Sequence, residues 1–345
     1  MALLSDASSG IAAGTARRGP ITRLLEDERR LGIALLAPTV ILLLLFIAYP
    51  FVKGVELAVT DTRVGVPGPY VGLDNFVHVW QDGIFRVAVW NTCLYTLVTT
   101  IFKTILGLWL ALLLNRSFRG KAFMRAFILL PFIIPTVLST FAWKWMFDPT
   151  FSVINWVILH LGLMSAKLVA LTVSAVVNFP HFSQIAIDAD LAPLFGSGRI
   201  NWLGDPTLAM IAVIIVNVWR GVPFYAISLL AGLQTISPEL HEAAAIDGAG
   251  PWQRFRHVTW PLLLPVTMVI VLFSVIQTFA DFQLVYVLTG GGPANATQLF
   301  ATYAYQIGIG TGLLSQGATI SLAVFPVLLF VVIVQLLYIR RVETT

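Results

Sequence analysis

Long apolar stretches alternate with short polar ones from Leu31 to the end of the 345-residue chain. A helix needs about 20 apolar residues to cross a bilayer, so the long stretches read as transmembrane helices. The first covers 31–51 and stops near Pro50; a polar outer section, 52–86, carries turn chemistry at Pro67-Gly68-Pro69. The second, Val87 to Leu114, is closed off by Arg116, Arg119, Lys121 and Arg125. The third, Ala126 to Phe147, contains Pro131 and Pro135, with Lys144 and Asp148 one turn apart and expected to pair. An extended outer section follows, 149–206. Its apolar runs Phe151 to Leu163 and Lys167 to Phe179 are too short to span and read as interfacial helices, or as a re-entrant piece for the second. The fourth span, Thr207 to Leu233, is expected to break at Gly221 and Pro223. The fifth runs from Val258 to Leu288, followed by the Gly290–Pro293 loop and a surface segment, Ala294 to Ile309. Gly308 to Gly312 forms a flexible lead into a sixth span, Gly312 to Ile339, with a short terminus at 340–345. The pattern predicts an all-α polytopic membrane protein with six core transmembrane helices, five of them in a core at 87–339.

The polar loop at 237–257 has a pattern of its own. Ser237-Pro238-Glu239 is a helix start, a capping residue followed by proline where its missing N–H costs nothing. Glu239 to Asp247 continues it, with Ala243, Ala244 and Ala245 in its middle, and Gly248 ends it. Gly248 to Pro251 is a turn, and Trp252 to His257 a second short helix entering the fifth span. The prediction is helix, glycine elbow, helix. Its alanine waist admits another protein closely and leaves Glu242 and Asp247 free to pair with cations.

Composition fits this picture: 58% of residues are hydrophobic and 11% charged, with mean hydropathy +0.86. So little polar chain leaves any soluble chemistry to other polypeptides. Thirteen Lys and Arg fall on the side of both termini and the elbow, five on the other, and Lys103, Lys144 and Arg220 inside spans. The thirteen-cation side is expected to be cytoplasmic. The 1–30 tail has no apolar core ahead of a cleavage site, so it is expected to stay attached. Cys93 is the single cysteine and the five histidines show no ligand spacing, so neither a disulfide nor a metal site is expected.

No P-loop, nucleophile elbow or zinc-protease helix occurs; Gly120-Lys121 is followed by Ala122. No cofactor, catalytic residue or nucleic-acid partner is expected. What remains is polar chemistry inside spans four and five. An ionisable group at membrane depth costs about 2.5–3.5 kcal/mol, so Arg220 and Asp281 should face a cavity or each other. Ser274, Gln277, Thr278 and Asp281 recur at three and four residues, one face of a helix, near the rings of Phe224, Tyr225 and Phe279. Rings with interleaved polar groups suit a sugar, although polar stripes also glue membrane helices together.

Glu242-Ala243-Ala244, Gly248, Val258, Trp260 and Pro261 resemble the E-A-A, G, I-x-L-P signature of permease subunits of binding-protein-dependent ABC importers, with Val258 for isoleucine and Trp260 for leucine. Asn201 to Pro206, Trp219 to Phe224, Gly232 to Ile236 and Thr289 to Pro293 look like the sugar-importing branch, relatives of the maltose and glycerol-3-phosphate permeases. The resemblance implies a non-catalytic subunit in the inner membrane. It also implies a second permease subunit, two copies of a cytoplasmic ATPase subunit that hydrolyses ATP, and an extracytoplasmic solute-binding protein delivering a sugar. ATPase coupling falls by position on Glu242, Ala243, Ala244, Ala245, Asp247 and Gly248. The substrate pathway falls on Arg220, Gly221, Phe224, Ser274, Gln277, Thr278 and Asp281, although Gln277 stands where the maltose relative has an aromatic and Asp281 where it has an amide. The segment 164–199 exceeds the outer loop usual there and reads as a lid or a contact for the binding protein. The rival reading is an ion-coupled secondary transporter with Arg220, Lys144 and Asp281 as a proton relay; it calls for inverted repeats, which the sequence lacks.

Overall fold

The computed structural model describes residues 28–160 and 200–343. The interfacial or re-entrant piece at 167–179, the lid segment 164–199 and most of the 1–30 tail lie outside the described residues. Apart from two isolated bridges, Thr60 with Tyr70 and Arg63 with Val66, regular structure among the described residues is helical. One compact unit ends at Glu56 and a second begins at Leu57.

Helix α1 comprises Glu28–Leu43, a π turn Leu44–Ala48, and Tyr49–Ala58. It runs past Pro50, where the first span was expected to stop. The physical reason is local: Tyr49 N–H donates to the carbonyl of Leu44, five residues back, and this widened turn makes room for the proline ring. A short α2, Asp74–Gln81, is tied down by Asn75, whose amide donates to the Ala58 and Thr60 carbonyls at 2.9 and 2.7 Å. Then α3, Gly83–Asn115, starts on an Asp82 cap.

Span three is a bent pair, α4 (Lys121–Ile133) and α5 (Thr136–Met146), at 89° to one another. Ile134 precedes Pro135 and is therefore extended, at ψ 131°, which stops α4. Lys144 reaches the Val287 carbonyl, while Asp148 accepts from the Thr150 and Phe151 N–H groups. The expected pair between them is not made. α6 is Val153–His160.

Span four, α7 (Pro206–Gln234), is one continuous helix, so the break expected at Gly221 and Pro223 is absent. It packs along α3 at close range: a Cβ on Gly107 would lie 2.4 Å from the Tyr225 Cβ. Gly107→Ala is expected to cost about 1–3 kcal/mol by overpacking. Melting of the detergent-purified protein checks this, with Gly83→Ala, which meets nothing within 4 Å, as the neutral control.

After α8 (Pro238–Ile246), span five is α9, Pro251–Phe279, with a π turn at Phe255–Thr259. As at Pro50, the residue before a proline, Trp260, donates to the carbonyl five back. The helix ends at Phe279 and restarts as α10, Gln283–Leu288, rather than running unbroken to Leu288. Asp281 sits in the gap. α11 is Phe300–Tyr305, followed by a π turn at Gln306–Gly310, and α12 is Leu314–Glu343. The segment from Ala294 is packed in rather than superficial. Thr297 and Gln298 are fully buried, and the Asn91 amide donates to the carbonyls of Asn295, Ala296 and Gln298 at 3.0–3.4 Å. Of the glycines ahead of α12, Gly308 lies against Gly317, whereas Gly310 is exposed.

Among the described residues, α1, α3, α7, α9 and α12 are long and apolar enough to cross a membrane, and the α4–α5 pair makes the sixth span. Two apolar cores grip α3 against α7. One, around Tyr95, Phe147, Val216 and Leu284, lies toward the α10 end. The other, around Leu114, Tyr225, Leu229 and Leu263, lies toward the elbow. Burying each large side chain contributes about 1.5–3 kcal/mol. The polar residues fall between the two cores.

Candidate functional site

On α3, Thr92, Thr96, Thr99 and Lys103 repeat every three or four residues, and all four are buried. Thr92 and Thr99 satisfy their hydroxyls on carbonyls one turn back, at 2.7 Å. Lys103, 4% exposed, has no such local option and donates across to Thr278 on α9 at 3.0 Å. Its stem crosses α7 at Gly221, where a Cβ would stand 2.3 Å from the Lys103 Cδ. Gly221 is thus the opening through which the lysine passes.

Asp281, 7% exposed in the gap after α9, accepts from the Tyr95 hydroxyl at 2.8 Å and the Asn217 amide at 3.0 Å. Arg220 is held elsewhere: its guanidinium donates to the Thr136 hydroxyl at the start of α5. Of the two arrangements open to Arg220 and Asp281, a shared pair or separate placements, the structure has the second, with neutral partners for each. The network joins α3, α5, α7 and α9. Buried polar atoms without a partner lie among these helices: Thr96 and Thr100 hydroxyls, Asn217 Oδ1 and the Tyr225 hydroxyl.

The seven pathway residues do not form one surface. Ser274, Thr278 and Asp281 are buried, whereas Gln277 is exposed on the flank of that stripe, one turn from exposed Phe273. Phe224 joins that outward side. It stacks on Phe132 with centroids 5.6 Å apart and contacts Phe273 at 5.3 Å; both partners are exposed. A charged network thus lies inside, with an aromatic face carrying one amide outside it. Tyr95, Lys103, Thr136 and Asn217 were missed as site members. Lys103 carried a signal as a cation inside span two, and Tyr95 lies among its polar residues, whereas Thr136 and Asn217 come from spans three and four with no comparable mark.

The elbow follows its prediction closely. Ser237 Oγ accepts from Glu239 N–H, opening α8. Gly248 takes φ +80°, and Ala249 N–H and Gly248 N–H bond back to the Ala244 and Ala245 carbonyls, the left-handed termination that glycine favours. Gln253 Oε1 then accepts from Gly250 N–H at 2.8 Å, capping α9. Glu242, Ala243, Ala245, Asp247 and Gly248 are exposed, and Ala244 is half-buried. Ile246 is 86% and Trp252 69% exposed.

Residues 103–344 match the family described as binding-protein-dependent transport system inner membrane component. The trehalose/maltose permease MalF of Thermococcus litoralis is 32% identical over 316 residues, 91% of this chain and 95% of that protein. The sulfoquinovosyl glycerol permease SmoG of Agrobacterium fabrum is 32% identical over 322 residues, covering 92% and 94%. A bacterial ABC transporter involved in alginate import has a chain of the same fold, with TM-score 0.72 and 23% identity over 92% of this chain and 99% of that one.

Proposed function

The chain belongs to the inner-membrane components of binding-protein-dependent transport systems, and we propose that it lines the carbohydrate path of an ATP-driven importer and takes its motion from a separate ATPase subunit. The observation that carries the coupling half is the elbow: a capped helix with exposed carboxylates and apolar tips, ended by a left-handed glycine. ATP hydrolysis belongs to two copies of that partner, a second permease subunit completes the path, and an extracytoplasmic binding protein delivers the ligand. Both termini and the elbow face the cytoplasm.

Coupling is mechanical. From Pro251 to Thr278 α9 is continuous, about 40 Å at 1.5 Å per residue. A displacement that α8 passes through the elbow to Pro251 therefore reaches Phe273, Gln277 and Thr278 along continuous helix. The Asp281 and Lys103 bonds tie the far end of α9 to α3 and α7, so the three helices swing as a unit, alternately opening the path outward and inward. The loaded binding protein must prefer one of the two states, since equal affinity for both would drive nothing.

Carbohydrate is the substrate class because MalF and SmoG are named for sugars, and because Phe132, Phe224 and Phe273 with Gln277 offer flat apolar faces beside a hydrogen-bonding amide. Arg220 and the partnerless Asn217 Oδ1 supply further polar contacts once the helices part. Phe224→Ala and Gln277→Ala are each expected to raise the KM for uptake about tenfold, the value of roughly 1.4 kcal/mol of lost contact, with unchanged protein yield. Uptake of labelled trehalose and maltose into cells expressing the whole complex measures this. Unchanged KM in both variants would remove the aromatic face from the path.

A further inference from the structure

We infer that the turn joining α3 to α4 is a binding site for the phosphate headgroup of an anionic phospholipid. The apolar α3 ends at Asn115, and the next ten residues hold Arg116, Arg119, Lys121 and Arg125. No Asp or Glu occurs between Lys103 and Asp148, and among the described residues none of the four cations enters an ion pair. Four positive charges at one membrane boundary repel one another unless an anion joins them.

The geometry supplies a headgroup site and an acyl-chain site side by side. Gly120 turns the chain at φ +83°. Lys121 and Arg125 follow one helical turn apart, both half-buried, and Arg125 Nε is buried without a hydrogen-bond partner. On the neighbouring face Phe123 and Phe127 stack on each other with centroids 6.4 Å apart, and both are strongly exposed. Cations beside outward aromatic rings suit a ligand that is anionic at one end and hydrocarbon at the other. A free phosphate would use the cations and leave the rings idle; an acidic protein segment would use the cations and bury the rings against protein. The position directly after a membrane span favours lipid over both.

Full-length protein is purified in detergent containing equal amounts of dioleoyl phosphatidylglycerol and dioleoyl phosphatidylcholine, and the lipid retained after gel filtration is counted by mass spectrometry. Phosphatidylglycerol is expected to be enriched at least about fivefold at low salt, the value of one headgroup–cation contact, and to lose most of that preference in about 0.5 M salt. Arg116→Gln/Arg119→Gln/Lys121→Gln/Arg125→Gln is expected to abolish the enrichment, and Arg125→Gln alone to reduce it measurably, which covers the case that the fourfold variant folds poorly. Arg63→Gln/Arg86→Gln, exposed cations elsewhere, should leave it intact. Enrichment that survives the fourfold change in folded protein overturns the inference. So does complete displacement of the lipid by millimolar inorganic phosphate, or a fourfold variant that keeps its lipid and loses only a co-purifying protein.

Discussion

Glu242→Lys combined with Gly248→Asp is expected to abolish uptake and substrate-stimulated ATP hydrolysis while the chain still inserts and purifies normally. Neither residue touches the membrane core: both are exposed on the elbow. Gly248 holds φ +80°, where a side chain meets the following carbonyl at a cost of about 1–2 kcal/mol per residue. Relief of that strain untwists the termination after Ile246 and re-aims α8 relative to α9. Glu242→Lys reverses a charge on the face offered to the ATPase, which costs about as much again when the contact is desolvated. Together they are expected to reduce coupled activity more than tenfold. Proteoliposomes of the assembled complex report both rates, and stimulation within a factor of two of wild type would show that the elbow does not transmit force.

Asp281→Leu is expected to act through the fold instead. The carboxylate takes two hydrogen bonds, from Tyr95 and Asn217, and removing it strands both donors in a buried site along with the nearby Lys103 ammonium. A hydrogen bond to a charged group contributes about 1.5–3 kcal/mol, so the loss is about 3 kcal/mol or more. A large drop in the melting temperature of the detergent-solubilised protein should accompany loss of transport. Asp281→Asn keeps one acceptor and should fall between the two. Wild-type melting in Asp281→Leu would mean that the network carries little of the load assigned to it.

The contrast between these two sites explains what the sequence disclosed. The elbow was legible because its signals are local: Ser237, Pro238 and Gly248 each prescribe a backbone conformation that needs no distant partner. The spans were legible for a similar reason, since hydrophobic length alone defines them. Proline was the poorer guide. Pro50 and Pro223 leave their helices running, while Pro135 breaks one through its predecessor Ile134. A widened turn at Leu44–Ala48 accommodates Pro50, while α7 runs through Pro223 with no such turn, and neither outcome leaves a trace in composition. The charged network was half legible. Arg220 and Asp281 stood out as ionisable groups at membrane depth, yet their partners, Thr136, Tyr95 and Asn217, come from helices far apart in the chain. Gly221 illustrates the difficulty best: its role is to leave room for Lys103, 118 positions earlier, which no local pattern could announce.

The central claim is that α8 seats on the motor subunit, and Ile246, the most exposed large apolar side chain on that helix, offers the most direct probe. A photo-reactive phenylalanine analogue placed at 246 and irradiated in cells expressing the whole complex should give one dominant adduct with the ATPase subunit, lost when that subunit is omitted. An adduct with the extracytoplasmic binding protein, or none at all from a complex that transports normally, would contradict the account.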